Sequence, residues 1–163
     1  MKGIRRKEKA IESTEEMKKI IQLADHITIA MCKDNEPYLV TLSHGYDPDK
    51  NCIYFHCARE GKKIDILNAN NVVWGQALID KGYVQGKCDH LYATTQFVGT
   101  VSFIDSFDEK KEALLNMIKK LEENPDEVAK KQLTEKSVSR VTIGRIDIEA
   151  MSGKEAKKAV ISL

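Results

Sequence analysis

Residues 54–71 read YFHCAREGKKIDILNANN, and this stretch decides the reading of the fold. It opens inside a strand-like run, Cys52 to Cys57 (CIYFHC), which delivers polar His56 and Cys57 at its end. Gly61 then punctuates a turn, and the apolar period becomes helical from Lys62 to Asn70, with Ile64, Ile66 and Leu67 toward one face. Lys62 and Lys63 therefore fall in the first turn of a helix. A helix N-terminus carries unpaired N–H groups and partial positive charge, so it attracts a phosphate and opposes a cation. Two adjacent lysines there are a local conflict of the kind expected at a functional site. On the residues alone the pair reads either as a phosphate site or as two solvated lysines.

Upstream, Ser13 or Thr14 caps a first helix whose apolar stripe is Met17, Ile20, Ile21, Leu23 and Ala24, ending near Asp25. Strands follow at His26–Cys32 and Tyr38–Ser43, separated by the turn signal Asp34-Asn35, and residues 47–51 turn the chain into Cys52–Cys57. Downstream, Val72–Ile79 returns to strand, and Thr94–Ile104 is a long strand with Gly99 as a bulge or bend. The path between them, with Gly82 and Gly86 as loop signals, has no decisive pattern. Glu109–Glu122 is an amphipathic helix with Ala113, Leu114, Met117, Ile118 and Leu121 on one side. Asn124-Pro125 ends it, a polar stretch continues to about Lys136, and a last strand is expected over Val138–Ile148. Short turns between several strands favour antiparallel pairing, and no βαβ alternation is present. The fold class expected is mainly β with peripheral helices (α+β), a small barrel in one domain. Its parts are an N-terminal arm and helix (1–25), a barrel core (26–105), a helical insertion (106–136), and a final strand and tail (137–163).

The 163 residues suffice for one core, and 42% apolar with 31% charged is ordinary globular composition. A net charge of +1 argues against a nucleic-acid partner, and no apolar run reaches the roughly 20 residues of a membrane span. The basic start MKGIRRKEK lacks a following apolar region, so no secretory signal is expected. Cys32, Cys52, Cys57 and Cys88 form no CxxC pair and match no zinc spacing; reduced thiols in the cytoplasm are the expectation. Cys88-Asp89-His90 does not have the spacing of a standard metal site either, and no metal is expected.

The segment 54–71 resembles the signature of the pyridoxamine 5'-phosphate oxidase-like split-barrel superfamily, most closely its nitroimidazole-resistance (Nim) branch. Pro37–Asp47 (PYLVTLSHGYD), Ile146-Asp147-Ile148-Glu149 and Gly153-Lys154 carry the likeness further, and it covers most of the chain in order. The resemblance implies an FMN-binding split β-barrel that works as a homodimer, with FMN in clefts at the subunit interface. It places the FMN phosphate on Lys62 and Lys63, the isoalloxazine along Val40, Thr41 and Leu42, and the ribityl chain near His56 and Cys57. Thr94 or Thr95 matches a polar position that reaches the flavin, and His56 best matches a catalytic histidine; His44 is a second histidine candidate for the pocket. The implied chemistry carries electrons from a donor such as NAD(P)H through FMN to a small acceptor, a nitroaromatic among them. The alternative is a non-enzymatic flavin or haem carrier or sensor. The arginine-rich C-terminal substrate segment of true pyridoxamine phosphate oxidases is absent, and Trp74 is the only tryptophan, so oxidation of that vitamin is not expected. Trp74 is instead a candidate for packing at a dimer interface.

Overall fold

The structure is a computed structural model and describes residues 4–156; the extreme N-terminus and the tail 157–163 lie outside the described residues. After a short 3-10 turn and the two-residue strand β1 (Ala10–Ile11), Ser13 caps helix α1 (Thr14–Leu23) by accepting from the Glu16 N–H. Of the expected stripe Met17, Ile20, Ile21 and Ala24 are buried, while Leu23 is exposed. Strands β2 (Ile27–Lys33), β3 (Glu36–Leu42), β4 (Gly45–Asp47) and β5 (Cys52–Cys57) follow, then α2 (Lys62–Ala69). The chain continues through β6 (Val72–Val84), β7 (Asp89–Phe103), three helices α3 (Phe107–Leu121), α4 (Pro125–Gln132) and α5 (Glu135–Arg140), and β8 (Thr142–Glu155).

All strand pairs are antiparallel, and the sheet runs β3-β2-β6-β7-β8-β5-β4, with β1 added on β8. It curls into a split barrel around Ile27, Ile29, Ile53, Phe55, Val73, Phe97 and Ile146, with Met17, Ile20 and Ile21 of α1 packed into the same core. Curvature has an identifiable source. Between Val98 and Gly99 the pairing with β8 shifts by one residue, leaving Glu149 as the extra residue of a bulge. A Cβ on Gly99 would stand 2.3 Å from the Asp147 carbonyl oxygen, so the expectation of glycine at a bend there is met. A second, smaller core joins Cys52, Tyr54 and Ile143 to Ala113 and Met117 of α3.

Two expectations need correction, and one open stretch is settled. Val138 lies in α5, where it is buried, rather than in a strand; β8 starts at Thr142 and extends to Glu155. The cause is a capping box: the Thr134 side chain accepts from Ser137 N–H, and the Ser137 side chain accepts from Thr134 N–H. The helical segment consequently reaches Arg140. Leu121, expected in the core, is exposed at the last turn of α3. The undecided residues 80–92 form the outer part of one long hairpin, β6–β7, whose tip uses positive φ at Gly86 and Cys88. No described helix is long and apolar enough to cross a membrane.

Candidate functional site

The junction of β5 and α2 is built as the sequence leads one to expect. Gly61 at φ 122° is the helix N-cap, and no side chain caps it. Its carbonyl accepts from Ile64 and Asp65 N–H, which leaves the amides of Lys62 and Lys63 at the mouth of the helix. Lys62 Nζ lies 4.8 Å from the Tyr38 ring centroid and Lys63 Nζ 5.3 Å from that of Phe55, so both ammonium groups fold back toward the sheet. Tyr38 belongs to β3, and β3 is an edge of the sheet. One side of its backbone pairs with β2, while the other has no strand beside it among the described residues. A cavity of about 330 Å³ lies between Tyr38, Lys33 and Lys62. Asp34, Glu36 and Asp65 also line it, so positive charge is concentrated at the first turn of α2 and does not extend through the cavity.

Val40 and Leu42 are half-buried on the barrel core, and Thr41 points outward with its hydroxyl 3.0 Å from that of Thr28. His56 is exposed at the end of β5. Cys57 is partly buried, and burial pushes its thiol up, against the opposing influence of Lys63. It is therefore not an activated thiolate. Thr94 and Thr95 sit on β7, separated from β3 by β2 and β6. Both are buried; Thr94 donates to the Ala77 carbonyl and Thr95 to that of Met17. Within one chain, then, Lys62 lies beside Tyr38 of β3 and Lys63 beside Phe55 of β5, while the two threonines stand on a strand separated from β3 by two others.

His44 is a correction. It is fully buried between α1 and α3 and reaches neither cavity. Its Nε2 lies 2.8 Å from the Ile21 carbonyl and Lys120 Nζ lies 3.3 Å from its Nδ1, while Lys120 also donates to Ala24 O at 2.7 Å. Lys120 Nζ also lies 2.8 Å from Nε2; the ammonium can only donate, so the ring beside it is neutral and keeps one unprotonated nitrogen. Burial, then the Lys120 charge, lowers the pKa of His44 to about 4. The ring is a structural strut between the end of α1 and α3.

Sequence reasoning missed a cavity of about 690 Å³ on the outer face of β3, β2, β6 and β7. Leu39, Trp74 and Leu78 wall it, and Gln76 and Gln96, opposite each other across β6 and β7, form its polar floor. A signal was present in β6. Val72, Trp74 and Leu78 alternate with Val73, Gly75 and Ala77, so the strand is apolar on both faces, as in strands covered on both sides. Gly75 permits this, because a Cβ there would stand 2.1 Å from the Phe97 ring. Among the described residues no group of three or more His, Cys, Asp or Glu is arranged to hold a metal.

Comparison with solved structures finds the same fold repeatedly. A candidate 5-nitroimidazole antibiotic resistance protein from Bacteroides thetaiotaomicron superposes with a TM-score of 0.76 at 24% identity, over 90% of this chain and 86% of that one. The flavocytochrome Anf3 of Azotobacter vinelandii gives 0.78 at 15% identity, over 94% and 72%. An FAD- and heme-binding protein from Mycobacterium smegmatis gives 0.74 at 16%, over 91% and 74%. No curated protein matches the chain. The sequence pattern described as pyridoxamine 5'-phosphate oxidase matches residues 13–155, from the cap of α1 to the end of β8. The chain belongs to the pyridoxamine 5'-phosphate oxidase-like split-barrel family.

Proposed function

We propose that this chain is an FMN-binding oxidoreductase of the nitroimidazole-resistance type, working as a cytoplasmic homodimer. One observation carries the reading: an uncapped helix start bearing Lys62 and Lys63 faces the open edge of β3. The first-turn amides and the two ammonium groups suit a dianionic phosphate, and they explain why lysines are tolerated where the helix dipole opposes them. Backbone N–H and C=O groups along the free edge of β3, from Val40 to Leu42, suit the polar rim of a flavin ring. The residues present therefore fit FMN. When bound, FMN supplies the redox chemistry, taking electrons from a donor such as NAD(P)H and passing them to a small acceptor. The chain's own part is to bind and orient it, and in this reading His56, exposed at the end of β5, delivers a proton to the acceptor. The flavocytochrome and the FAD- and heme-binding neighbours support a flavin, and the Bacteroides neighbour supports a nitroaromatic acceptor.

The outer sheet face supports the homodimer. Leu39 is 63% exposed, and Val72, Trp74 and Leu78 are each about half exposed on the same surface. The four cysteines are free, which suits a reducing compartment.

The test is the visible spectrum of the protein after loading with FMN and removing the excess. Bands near about 370 and 450 nm should stay with the protein. Lys62→Glu with Lys63→Glu should weaken FMN binding at least about tenfold, because two charge-assisted contacts become repulsions. Equal FMN affinity in the double variant would remove the phosphate site, and a Soret band in the purified protein would favour a haem carrier or sensor. His56→Gln should keep the flavin bands while slowing acceptor reduction.

A further inference from the structure

We propose that Tyr38 is a positioning residue of the phosphate site: its ring holds the Lys62 ammonium clear of the neighbouring carboxylates and ready for a phosphate. The proposal deepens the functional reading and rests on it for the identity of the anion, not for the contact between ring and ammonium.

Lys62 stands among carboxylates. Asp34, Glu36 and Asp65 line the same cavity of about 330 Å³, and Asp65 lies three residues further along α2. Lys18 and Glu15 of α1 have that spacing in the reverse order, and they pair at 3.2 Å. Yet among the described residues neither Lys62 nor Lys63 forms an ion pair. Each ammonium lies over an aromatic ring instead, Lys62 at 4.8 Å from the centroid of Tyr38 and Lys63 at 5.3 Å from that of Phe55.

Strand alternation puts the Tyr38 ring there. Tyr38, Val40 and Leu42 pack on the core side of β3, while Leu39 is exposed on the other face. Pairing with Met31 fixes Tyr38 close to the β2–β3 turn, beside the start of α2. The face of an aromatic ring is electron-rich, so it attracts an ammonium and turns a carboxylate away. Tyr38 thus takes up the Lys62 ammonium without neutralising it, as a carboxylate partner would. It also restricts a long side chain whose freedom would otherwise be lost when a ligand binds. A phosphate arriving at the uncapped amides of Lys62 and Lys63 then meets a charge that no carboxylate has claimed. Phe55 stands in the same relation to Lys63, but it is fully buried and packs on Gly144 in the barrel, so Tyr38 is the ring that can be changed.

The experiment is titration of the full-length protein with FMN and with riboflavin, which lacks the phosphate; the ratio of the two dissociation constants isolates the phosphate contribution. Tyr38→Leu should lower that ratio about threefold or more, and Tyr38→Phe, which keeps a ring, should hold it at the wild-type value. In a Lys62→Met background Tyr38→Leu should change the ratio no further, because the ring then has no cation to hold. Lost packing alone would weaken both flavins together and leave the ratio unchanged, and that outcome overturns the proposal. So does a Phe variant as impaired as the Leu variant, or a fall in the ratio that persists without Lys62. NMR of the wild type needs no substitution at Tyr38. Its ring should shift the Lys62 ε-methylene protons upfield, with the signals assigned by their loss in Lys62→Met, and unshifted resonances overturn the proposal. A wild-type ratio near one removes the phosphate site and the proposal with it, whereas a large ratio that Tyr38→Leu leaves intact removes only the role of Tyr38.

Discussion

Protonating His44 should cost the fold about 2 kcal/mol between pH 7 and pH 5, and the structure says why. The neutral ring meets the Ile21 carbonyl through Nε2 at 2.8 Å and packs against the Lys120 ammonium, 2.8 Å from Nε2 and 3.3 Å from Nδ1. A second ring proton makes the imidazole a cation against the Lys120 ammonium, in a site from which water is excluded. The pKa is lowered from the ordinary 6.5 to about 4, by burial first and Lys120 second. Between those values the unfolded chain takes up a proton that the folded chain refuses, so stability rises with pH and is lost as pH falls through this window. At about 1.4 kcal/mol per pH unit the full loss is about 3 kcal/mol, of which about 2 is present at pH 5. Lys120, lowered by burial to about 8, titrates on the alkaline side and stays charged throughout the window. The assay is urea unfolding at pH 7 and pH 5 for the wild type and His44→Gln, whose amide keeps a donor for Ile21 O but does not titrate. The wild type should lose about 2 kcal/mol more than the variant over this interval. Equal losses in the two proteins, or a His44 NMR titration near 6.5, would refute the reasoning.

Two further outcomes are expected. Gly144→Ala should destabilise by about 1–3 kcal/mol in urea unfolding, because a Cβ there stands 2.2 Å from the Phe55 ring at the centre of the barrel; a loss under about 0.5 kcal/mol would mean that the ring moves aside freely. Leu39→Glu with Leu78→Glu places charge on the exposed sheet face, and sedimentation equilibrium should show a wild-type dimer and a monomeric variant. A wild-type monomer at micromolar concentration would remove the dimer.

What could be read from the sequence follows from how far apart the interacting residues lie. Ser13 and Glu16, or Gly61 and Ile64, meet within one helical turn, so the start of α1 and the β5–α2 junction are visible in local pattern. Gly99 is legible because a glycine inside an apolar strand has few explanations, and here it marks the bulge opposite Glu149. Val138 misleads for the converse reason. Its β-branched side chain favours a strand, yet the Thr134–Ser137 capping box, in which serine takes the place usually held by glutamate, commits the backbone to a helix first.

His44 and the outer face were out of reach because their partners are distant in sequence. The His44 contacts join residues 21, 24, 44 and 120, and the large cavity draws on α1, β2, β3, β6 and β7 together. A strand that is apolar on both sides announces only that something covers it. The sign of the charge around that surface becomes readable once the barrel has brought Asp25 of the α1–β2 turn and Asp80 of β6 to the same cavity. The start of α2 with Lys62 and Lys63 is a local motif of one helix, and so legible, whereas the outer cavity is assembled from five separate elements.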